Sequence, residues 1–281
     1  MVAPVARLST GPAPASSGGP ITVIVPSRDR FRDLRRCLHA LAECDTRLLH
    51  EVVIVDDGSR PRISDAAAVP GLRTRLIRNP RPIGATRSRC RAAELAVSPV
   101  LAFLDDDALP RADWLTRISE ELTPDRGGIT GRVLPFDSGL VSQARQARYQ
   151  QRYRGLGAGQ RVAFFAGGNG AVWRDAFLAA GGMSVTGPGG DNRLVDDLAK
   201  LGLDVHFVPS LVIVHRNSKG FGRAVTDAFG AGRHRGESPS VSEIVREVTR
   251  PAPGVRPIIR LTNRVLNVVH LTGRCLPAKA R

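Results

Sequence analysis

The sequence predicts an α/β fold in which a mostly parallel central sheet is flanked by helices. Short apolar runs, typical of buried strands, alternate with segments whose apolar residues recur at helical spacing. Two of these runs end in carboxylates, at Asp56-Asp57 and at Asp105–Asp107. Because open α/β sheets keep their ligand crevices at the carboxyl ends of strands, both acidic clusters are expected at one functional edge.

The elements follow one another in a doubly wound order. Order is expected to begin at Ile21, after a leader over 1–20 that is rich in Pro, Ala, Ser and Gly and is predicted to be disordered. The first half is expected to contain strands near 21–26, 51–55, 73–78 and 101–104, with helices over 31–43 and 86–97. The second half is expected to contain helices over 113–122, 140–152 and 193–201, and two short strands, 204–208 and 211–215.

The charge of the chain is strongly basic. Among 281 residues, 41 Lys and Arg stand against 26 Asp and Glu, giving a net charge of +15. Such a surface attracts nucleic acid, anionic lipid or phosphorylated substrates. The surplus is largest over 217–281, which is predicted to be a partly helical basic extension of a domain over 21–216. No apolar run is long enough to predict a transmembrane helix, and the four cysteines lack C-x-x-C spacing, which favours reduced thiols in a cytoplasmic protein.

The carboxylate triplet favours a cation. Three adjacent carboxylates repel one another unless solvent or a cation compensates them, so a solvated acidic turn is the alternative explanation. Asp105 and Asp107 alternate along the chain and would face one pocket, while Asp106 turns away. Mg²⁺ or Mn²⁺ commonly binds to such carboxylates together with substrate phosphates.

Arginines near the same edge favour a nucleotide diphosphate as the ligand. The expected crevice has basic side chains in its first turn and in the 84–91 turn: Arg28, Arg30, Arg87, Arg89 and Arg91. The first turn, PSRDR, is not a G-x-G-x-x-G turn, and the chain has no G-x-x-x-x-G-K-[ST] loop. An NAD-type site and a P-loop site are therefore not expected.

Six motifs in order give the chain a family resemblance: IVPSRDR, VVIVDDGS, IGATRSRCRAAELA, FLDDDALPRADWL, FAGGNGAVWRDAFLAAGG and VPSLVIVH. Over about 21–216 the chain resembles the family 2 glycosyltransferases, which are inverting enzymes of the GT-A fold. The resemblance implies a UDP- or GDP-sugar donor, Mg²⁺ or Mn²⁺ on its diphosphate, and an acceptor hydroxyl on a molecule that the sequence does not identify.

The resemblance also implies roles for particular residues. The implied contacts to the donor nucleotide are Pro26, Arg28, Asp56, Asp57, Arg87, Asp105 and Asp106. Asp107 would bind the metal, and the strand-end His215 is either a further ligand or a structural residue. The implied sugar and acceptor pocket comprises Gly168, Asn169 and Trp114.

The resemblance places the catalytic base in GDNRLVDDLAKLG. Asp191 keeps the base position, although Gly190 replaces the glutamate that usually precedes it. Arg193 and Asp197 stand where the family usually has an aspartate and an arginine, so the two charges are swapped, and the two side chains would pair across one helical turn. Asp196 is the alternative base.

Three other interpretations follow from charge and fold. A basic nucleic-acid-binding protein is one alternative, but only 5% of residues are aromatic and no reading motif is present, so no nucleic acid is expected. A nucleotidyltransferase of related fold usually has a glycine-rich first loop, which PSRDR lacks. Segment 258–272 is apolar on one face with Arg260 and Arg264 opposite, which predicts an interfacial helix at the inner face of a membrane, near a lipid-linked acceptor. A solvated extension is the alternative there.

Overall fold

The computed structural model describes residues 19–64, 69–183, 190–216, 220–235, 238–249 and 254–276. The disordered leader predicted over 1–20 therefore lies outside the described residues, except for 19–20. The strands are β1 Ile21–Ser27, β2 Leu49–Asp56, β3 Thr74–Arg78, β4 Val100–Leu104, β5 Ala108–Pro110, β6 Gly128–Pro135, β7 Asn169–Trp173 and β8 Val205–His215. The helices are α1 Phe31–Ala42, α2 Ala85–Leu95, α3 Trp114–Glu121, α4 Leu140–Tyr153, α5 Arg174–Ala179, α6 Gly190–Lys200, α7 Phe221–Arg235, α8 Val241–Thr249 and α9 Pro257–Arg274, with a 3₁₀ turn at Thr46–Leu48.

The described strands form one sheet in the order β3-β2-β1-β4-β7-β6-β8-β5. The first four strands are parallel, β7 is antiparallel to both β4 and β6, β8 is parallel to β6, and β5 is antiparallel to β8. The predicted α/β class with a mostly parallel sheet is thus confirmed.

The central strands are apolar on both faces because helices cover both faces. Val23 and Val25 of β1 pack with buried residues of α1 and α3 on one face. Ile24, which points the other way, packs with buried residues of α2, α5 and α6. The sheet is therefore packed between two cores, and the loops that follow β1, β2 and β4 leave from its carboxyl-terminal edge.

The two short strands predicted over 204–208 and 211–215 are a single strand, β8. Its partner β6 shifts register between Gly131 and Arg132, opposite the Pro209-Ser210 step. A bulge accommodates a proline that cannot donate a ladder hydrogen bond, so the chain continues without a break. This continuity matters for the site, because the end of β8 pairs with β5 and aligns His215 with Ala108.

The C-terminal helices pack onto the sheet domain through α4. Val141 of α4, Ala224 of α7 and Leu266 of α9 are buried together. Arg148 of α4 also donates a 2.8 Å hydrogen bond to the Asn263 side chain of α9. The extension is thus joined to α4, the helix that covers the site. The predicted domain boundary after residue 216 stays a prediction, because residues 217–219 lie outside the described residues. Among the described helices, none has the length and apolar character needed to cross a membrane.

A buried side-chain hydrogen bond between α3 and β7 generates a stability prediction. The indole Nε1 of Trp114 donates to Asn169 Oδ1 at 2.9 Å, and both residues are fully buried. Trp114→Phe leaves this amide oxygen unsatisfied, so the free energy of unfolding should fall by about 1–3 kcal/mol in urea titrations followed by circular dichroism.

Trp173→Phe is the matched control, because its indole donates a longer, 3.3 Å bond to the Thr123 carbonyl in a partly exposed position. Its destabilisation should be smaller. Equal losses in the two variants would contradict the importance of the buried Trp114 bond.

Candidate active site

The strand-end carboxylates converge with a histidine from the far side of the sheet. His215 Nε2 lies 2.9 Å from Asp107 Oδ1 and 3.4 Å from Asp105 Oδ2. One potential ligand atom from each of the three residues lies within 4.8 Å of the others. The pairing of β5 with β8 produces this arrangement, since Asp107 immediately precedes β5 and His215 ends β8.

Asp106 has a different environment from its two neighbours. Its carboxylate accepts hydrogen bonds from Ser27 Oγ at 2.7 Å and from Arg30 Nη1 at 3.1 Å. Arg30 also donates to Asp107 Oδ2 at 2.8 Å, so one guanidinium bridges two carboxylates. The triplet is thereby divided: Asp105 and Asp107 approach His215, while Asp106 is buried beneath the first turn.

The pKa values follow these contacts. Burial raises the pKa of Asp106 to about 6, against the opposing effects of Ser27 and Arg30. Burial also opposes ionisation of Asp105, but the hydrogen bond with His215 and the charge of Arg89 hold the pKa of Asp105 well below its usual range. Burial lowers the pKa of His215, whereas its bonds with Asp105 and Asp107 raise it, to about 10.

The three converging residues fit a divalent cation of the Mg²⁺ or Mn²⁺ type. Two carboxylates and one imidazole supply the hard oxygen donors and the nitrogen donor that such ions accept. The imidazole must be neutral to bind a metal, so cation binding would release the proton that His215 otherwise shares with the carboxylates.

A second carboxylate faces the same space from another element. Asp191, in the first turn of α6, accepts a 3.2 Å hydrogen bond from the Gly167 backbone. It lines a cavity of about 250 Å³ together with Asp105 and His215. Burial raises the pKa of Asp191, and the nearby charge of Arg89 opposes that rise.

Two glycines make this proximity possible. A Cβ on Gly167 would clash with the Asp191 carboxylate, and a Cβ on Gly168 would clash with the Asp105 carboxylate. The GG pair therefore lets the backbone lie directly against both acidic groups. The predicted pocket residue Gly168 does line the cavity.

A larger cavity of about 710 Å³ adjoins the triplet and includes Asp105 and His215 in its lining. The predicted nucleotide contacts Pro26, Arg28 and Asp57 also line it. The Asp57 carboxylate accepts hydrogen bonds from the backbones of Ile83 and Gly84, at 2.8 and 2.9 Å. Asp57 therefore shapes the turn before α2 as well as the cavity wall.

Other predicted residues lie outside both cavities. Asp56 is buried and accepts backbone hydrogen bonds from the loop after β2. Asn169 and Trp114 bond to each other in the core, where Asn169 also donates to the Leu211 carbonyl at 3.1 Å. These three side chains support the site from behind and do not face its cavities.

The arginine assignment also differs from the geometry. Arg87 is exposed and lines neither cavity. Arg89, two residues further along α2, is buried, donates to Asp105 and lines the smaller cavity. Periodicity is the signal that identifies it, since Arg89 shares the inward face of α2 with Ala92 and Ala93.

Two predictions for α6, the alternative base Asp196 and the ion pair between Arg193 and Asp197, do not match the geometry. Asp196 is exposed and lines neither cavity, so the geometry favours Asp191. Asp197 pairs with Lys200 at 2.5 Å, where the sequence suggested a pair with Arg193.

Solved structures resemble the fold. Mannosyltransferase PcManGT from Pyrobaculum calidifontis, in complex with GDP-Man and Mn²⁺, is similar with a TM-score of 0.59 and 20% identity, covering 91% of this chain and 71% of that one. GalNAc-T7 with UDP, GalNAc and Mn²⁺ gives a TM-score of 0.56 and 15% identity, covering 91% and 55%. The predicted GT-A fold is confirmed by these likenesses.

The family follows from the sequence comparison. The family model described as Glycosyl transferase family 2 matches residues 22–179, and the chain belongs to this family. The Mycobacterium tuberculosis pre-mycofactocin glycosyltransferase is 28% identical over 145 residues, 51% of this chain and 29% of that protein. Human polypeptide N-acetylgalactosaminyltransferase 14 is 29% identical over 110 residues, 37% of this chain and 20% of that protein. The chain spans less than a third of the length of these curated relatives.

The close backbone approach at the GG pair generates a prediction. In Gly168→Ala the added methyl group must displace the Asp105 carboxylate, so the affinity for Mn²⁺ should fall about tenfold or more, equivalent to about 1.4 kcal/mol, in calorimetric titrations.

Two alanine substitutions serve as controls. Gly167→Ala displaces Asp191 and not Asp105, and Gly157→Ala places its methyl group in open space. Both should bind Mn²⁺ with nearly wild-type affinity. A loss in Gly167→Ala equal to that in Gly168→Ala would argue against Asp105 as a ligand.

Proposed function

We propose that the chain is an inverting glycosyltransferase that moves a sugar from a nucleotide-diphosphate sugar to an acceptor hydroxyl. The observation that carries this proposal is the shared cavity, in which Asp191 faces Asp105 and His215. A cation site and a separate, partly buried carboxylate are the two chemical elements that such a transfer needs. Family membership favours this activity over the nucleic-acid-binding and nucleotidyltransferase alternatives.

The larger cavity is the proposed nucleotide site. Its volume of about 710 Å³ suits a ligand of this size, and Arg28, Arg30 and Asp57 supply polar contacts around it. A UDP- or GDP-sugar is the proposed donor, because the similar structures described above contain GDP-Man or UDP. The smaller cavity would then hold the sugar beside Asp191.

In the proposed mechanism Asp191 is the general base. It accepts the proton of the acceptor hydroxyl as the oxygen attacks the anomeric carbon on the face opposite the diphosphate, and the bond from that carbon to the phosphate oxygen breaks. Burial raises the pKa of Asp191 and so makes it a stronger base than an exposed aspartate, while the nearby charge of Arg89 opposes that rise. Gly167 orients the carboxylate through its backbone N–H.

Asp105, Asp107 and His215 would hold the divalent cation, Mg²⁺ or Mn²⁺. When bound, the cation supplies positive charge to the donor diphosphate and to the departing nucleoside diphosphate. Arg30 and Arg89 fix the positions of the ligand carboxylates through their own hydrogen bonds. Asp106 anchors the triplet to β1 through Ser27.

The base assignment is tested by Asp191→Asn. This substitution removes the proton acceptor while keeping the shape of the side chain, so sugar transfer should fall by about 10²–10⁴-fold. The affinity for UDP or GDP with Mn²⁺, measured by calorimetry, should change little.

Asp196→Asn is the matched control, because Asp196 lies on the same helix but is exposed. It should transfer sugar at nearly the wild-type rate. An active Asp191→Asn enzyme, or equal loss of transfer and nucleotide binding, would contradict the assignment of Asp191 as the base.

For the acceptor we propose a lipid-linked molecule at an anionic membrane surface. The support is the outward face of α9, defined by Ile258, Leu261, Val265 and Val268, whose side chains are 37–56% exposed. Arg264 is exposed on this same face, whereas the sequence had suggested that it lies opposite the apolar residues.

The opposite face of α9 is already occupied. Ile259 and Leu266 are buried against α4 and α7. Helix α9 therefore has a second apolar face that points outward and carries the basic side chain of Arg264. Such a face suits shallow insertion among anionic lipids. Deleting α9 would also uncover the apolar faces of α4 and α7, so point substitutions on the outward face are the better test.

The double variant Leu261→Glu/Val265→Glu removes apolar contact and adds charge of the wrong sign. Its binding to vesicles of phosphatidylglycerol and phosphatidylcholine should be weaker than that of the wild type by about tenfold or more in co-sedimentation assays.

Val97→Glu is the control, since Val97 is apolar and 74% exposed but lies outside α9. It should bind vesicles like the wild type. Unchanged binding of the double variant, or equal wild-type binding to phosphatidylcholine alone, would overturn the membrane proposal.

A further inference from the structure

The larger cavity has a second charged wall, opposite in sign to the carboxylate triplet. Arg145 of α4 and Arg223 of α7 line it together with Asp105, Asp106 and Asp107. Arg223 belongs to the C-terminal extension, well beyond residue 179, where the family match ends. The basic extension therefore reaches the acidic edge of the sheet.

Arg145 differs from the other arginines beside the triplet. Arg30 is paired with Asp106 and Asp107, and Arg89 is paired with Asp105. Arg145 is half-buried, and within the described part of the chain it has no carboxylate partner. A partly desolvated guanidinium without an anion is costly, so its place on the cavity wall indicates that the anion comes from a ligand.

Arg223 is placed there by the packing of the extension. Its neighbour Ala224 is buried against Val141 of α4 and Leu266 of α9. Its Nε donates to Asp227 Oδ1 at 3.1 Å, one helical turn away. This pair constrains the side chain through Nε, so its two terminal nitrogens can serve a ligand.

The negative charge that develops on the leaving group in the proposed reaction could be stabilised by these two arginines. As the bond from the anomeric carbon to the phosphate oxygen breaks, the electron pair stays on that oxygen and the leaving group gains one negative charge. Arg30 and Arg89 already neutralise protein carboxylates, so they have little capacity left for this new charge. Guanidinium groups bind phosphate oxygens through two parallel hydrogen bonds, and preorganised donors stabilise charge that develops in a transition state.

We propose that Arg145 and Arg223 bind the phosphate groups of the donor and stabilise the departing nucleoside diphosphate, so that the C-terminal extension completes the donor site. This inference rests on the function proposed above. It assigns a role in the donor site to a segment outside the family match, and it means that a protein truncated after residue 216 would lack part of its phosphate-binding wall.

The test uses the full chain with UDP, GDP and inorganic pyrophosphate as probes, in the presence of MnCl₂. Arg145→Gln and Arg223→Gln should each weaken calorimetric binding of these probes about tenfold, and the lysine variants should retain part of the affinity. Arg246→Gln, which removes an exposed charge from α8 of the same extension, is the matched control and should bind like the wild type.

Binding of the nucleosides uridine and guanosine, which carry no phosphate, should be the same in the glutamine variants and the wild type. A purely structural role would instead weaken nucleoside and nucleotide binding together. If either glutamine variant fails to fold, its lysine variant and Arg246→Gln provide the comparison.

The outcomes separate the two levels of the proposal. Wild-type affinity for all three probes in both glutamine variants would overturn the phosphate role while leaving the proposed function in place. Failure of the wild-type protein to bind UDP or GDP with Mn²⁺ would overturn the proposed function and this inference with it.

Discussion

The structure depends on the compensation of three adjacent carboxylates at the end of β4. Three separate parts of the chain supply the counter-charges. Arg89 on α2 pairs with Asp105, Arg30 after β1 pairs with both Asp106 and Asp107, and His215 on β8 lies against Asp105 and Asp107. Like charges this close would otherwise destabilise the folded state. The loop after β1, the first turns of α2 and the end of β8 are therefore brought to one point by the same electrostatic requirement.

A glycine pair then turns this acidic edge into a site with two functions. Gly167 and Gly168 let one loop contact Asp191 on α6 and Asp105 after β4. The two carboxylates differ in their surroundings: charge and hydrogen bonds favour ionised Asp105, whereas burial favours the protonated form of Asp191. Opposite pKa shifts in neighbouring carboxylates suit a ligand for a cation and a proton acceptor, respectively. Helix α4 covers the two carboxylates, and the C-terminal helices α7 and α9 pack against α4.

Sequence reasoning predicts the sheet and its acidic edge well, because apolar runs and strand-end carboxylates are local signals. Proximity of Asp107 and His215 could be expected only through family resemblance, since it depends on the pairing of β5 with β8. Arg89 and not Arg87 reaches the cavity because Arg89 lies on the inward face of α2. Helical periodicity can identify that face, whereas motif spacing cannot. The core position of Trp114 and Asn169, the continuity of β8 and the approach of Arg223 arise from long-range packing, which leaves no pattern within a short window.

The central claim is that Asp105, Asp107 and His215 form a cation site that holds the donor nucleotide next to Asp191. Anomalous diffraction at the manganese edge, from crystals grown with MnCl₂ and either UDP or GDP, tests it most directly. One strong manganese peak is expected within bonding distance of all three residues, with the nucleotide diphosphate on the metal and the nucleotide base in the larger cavity. A manganese peak elsewhere with His215 still bonded to the two carboxylates, or a nucleotide bound outside this cavity, would contradict the account.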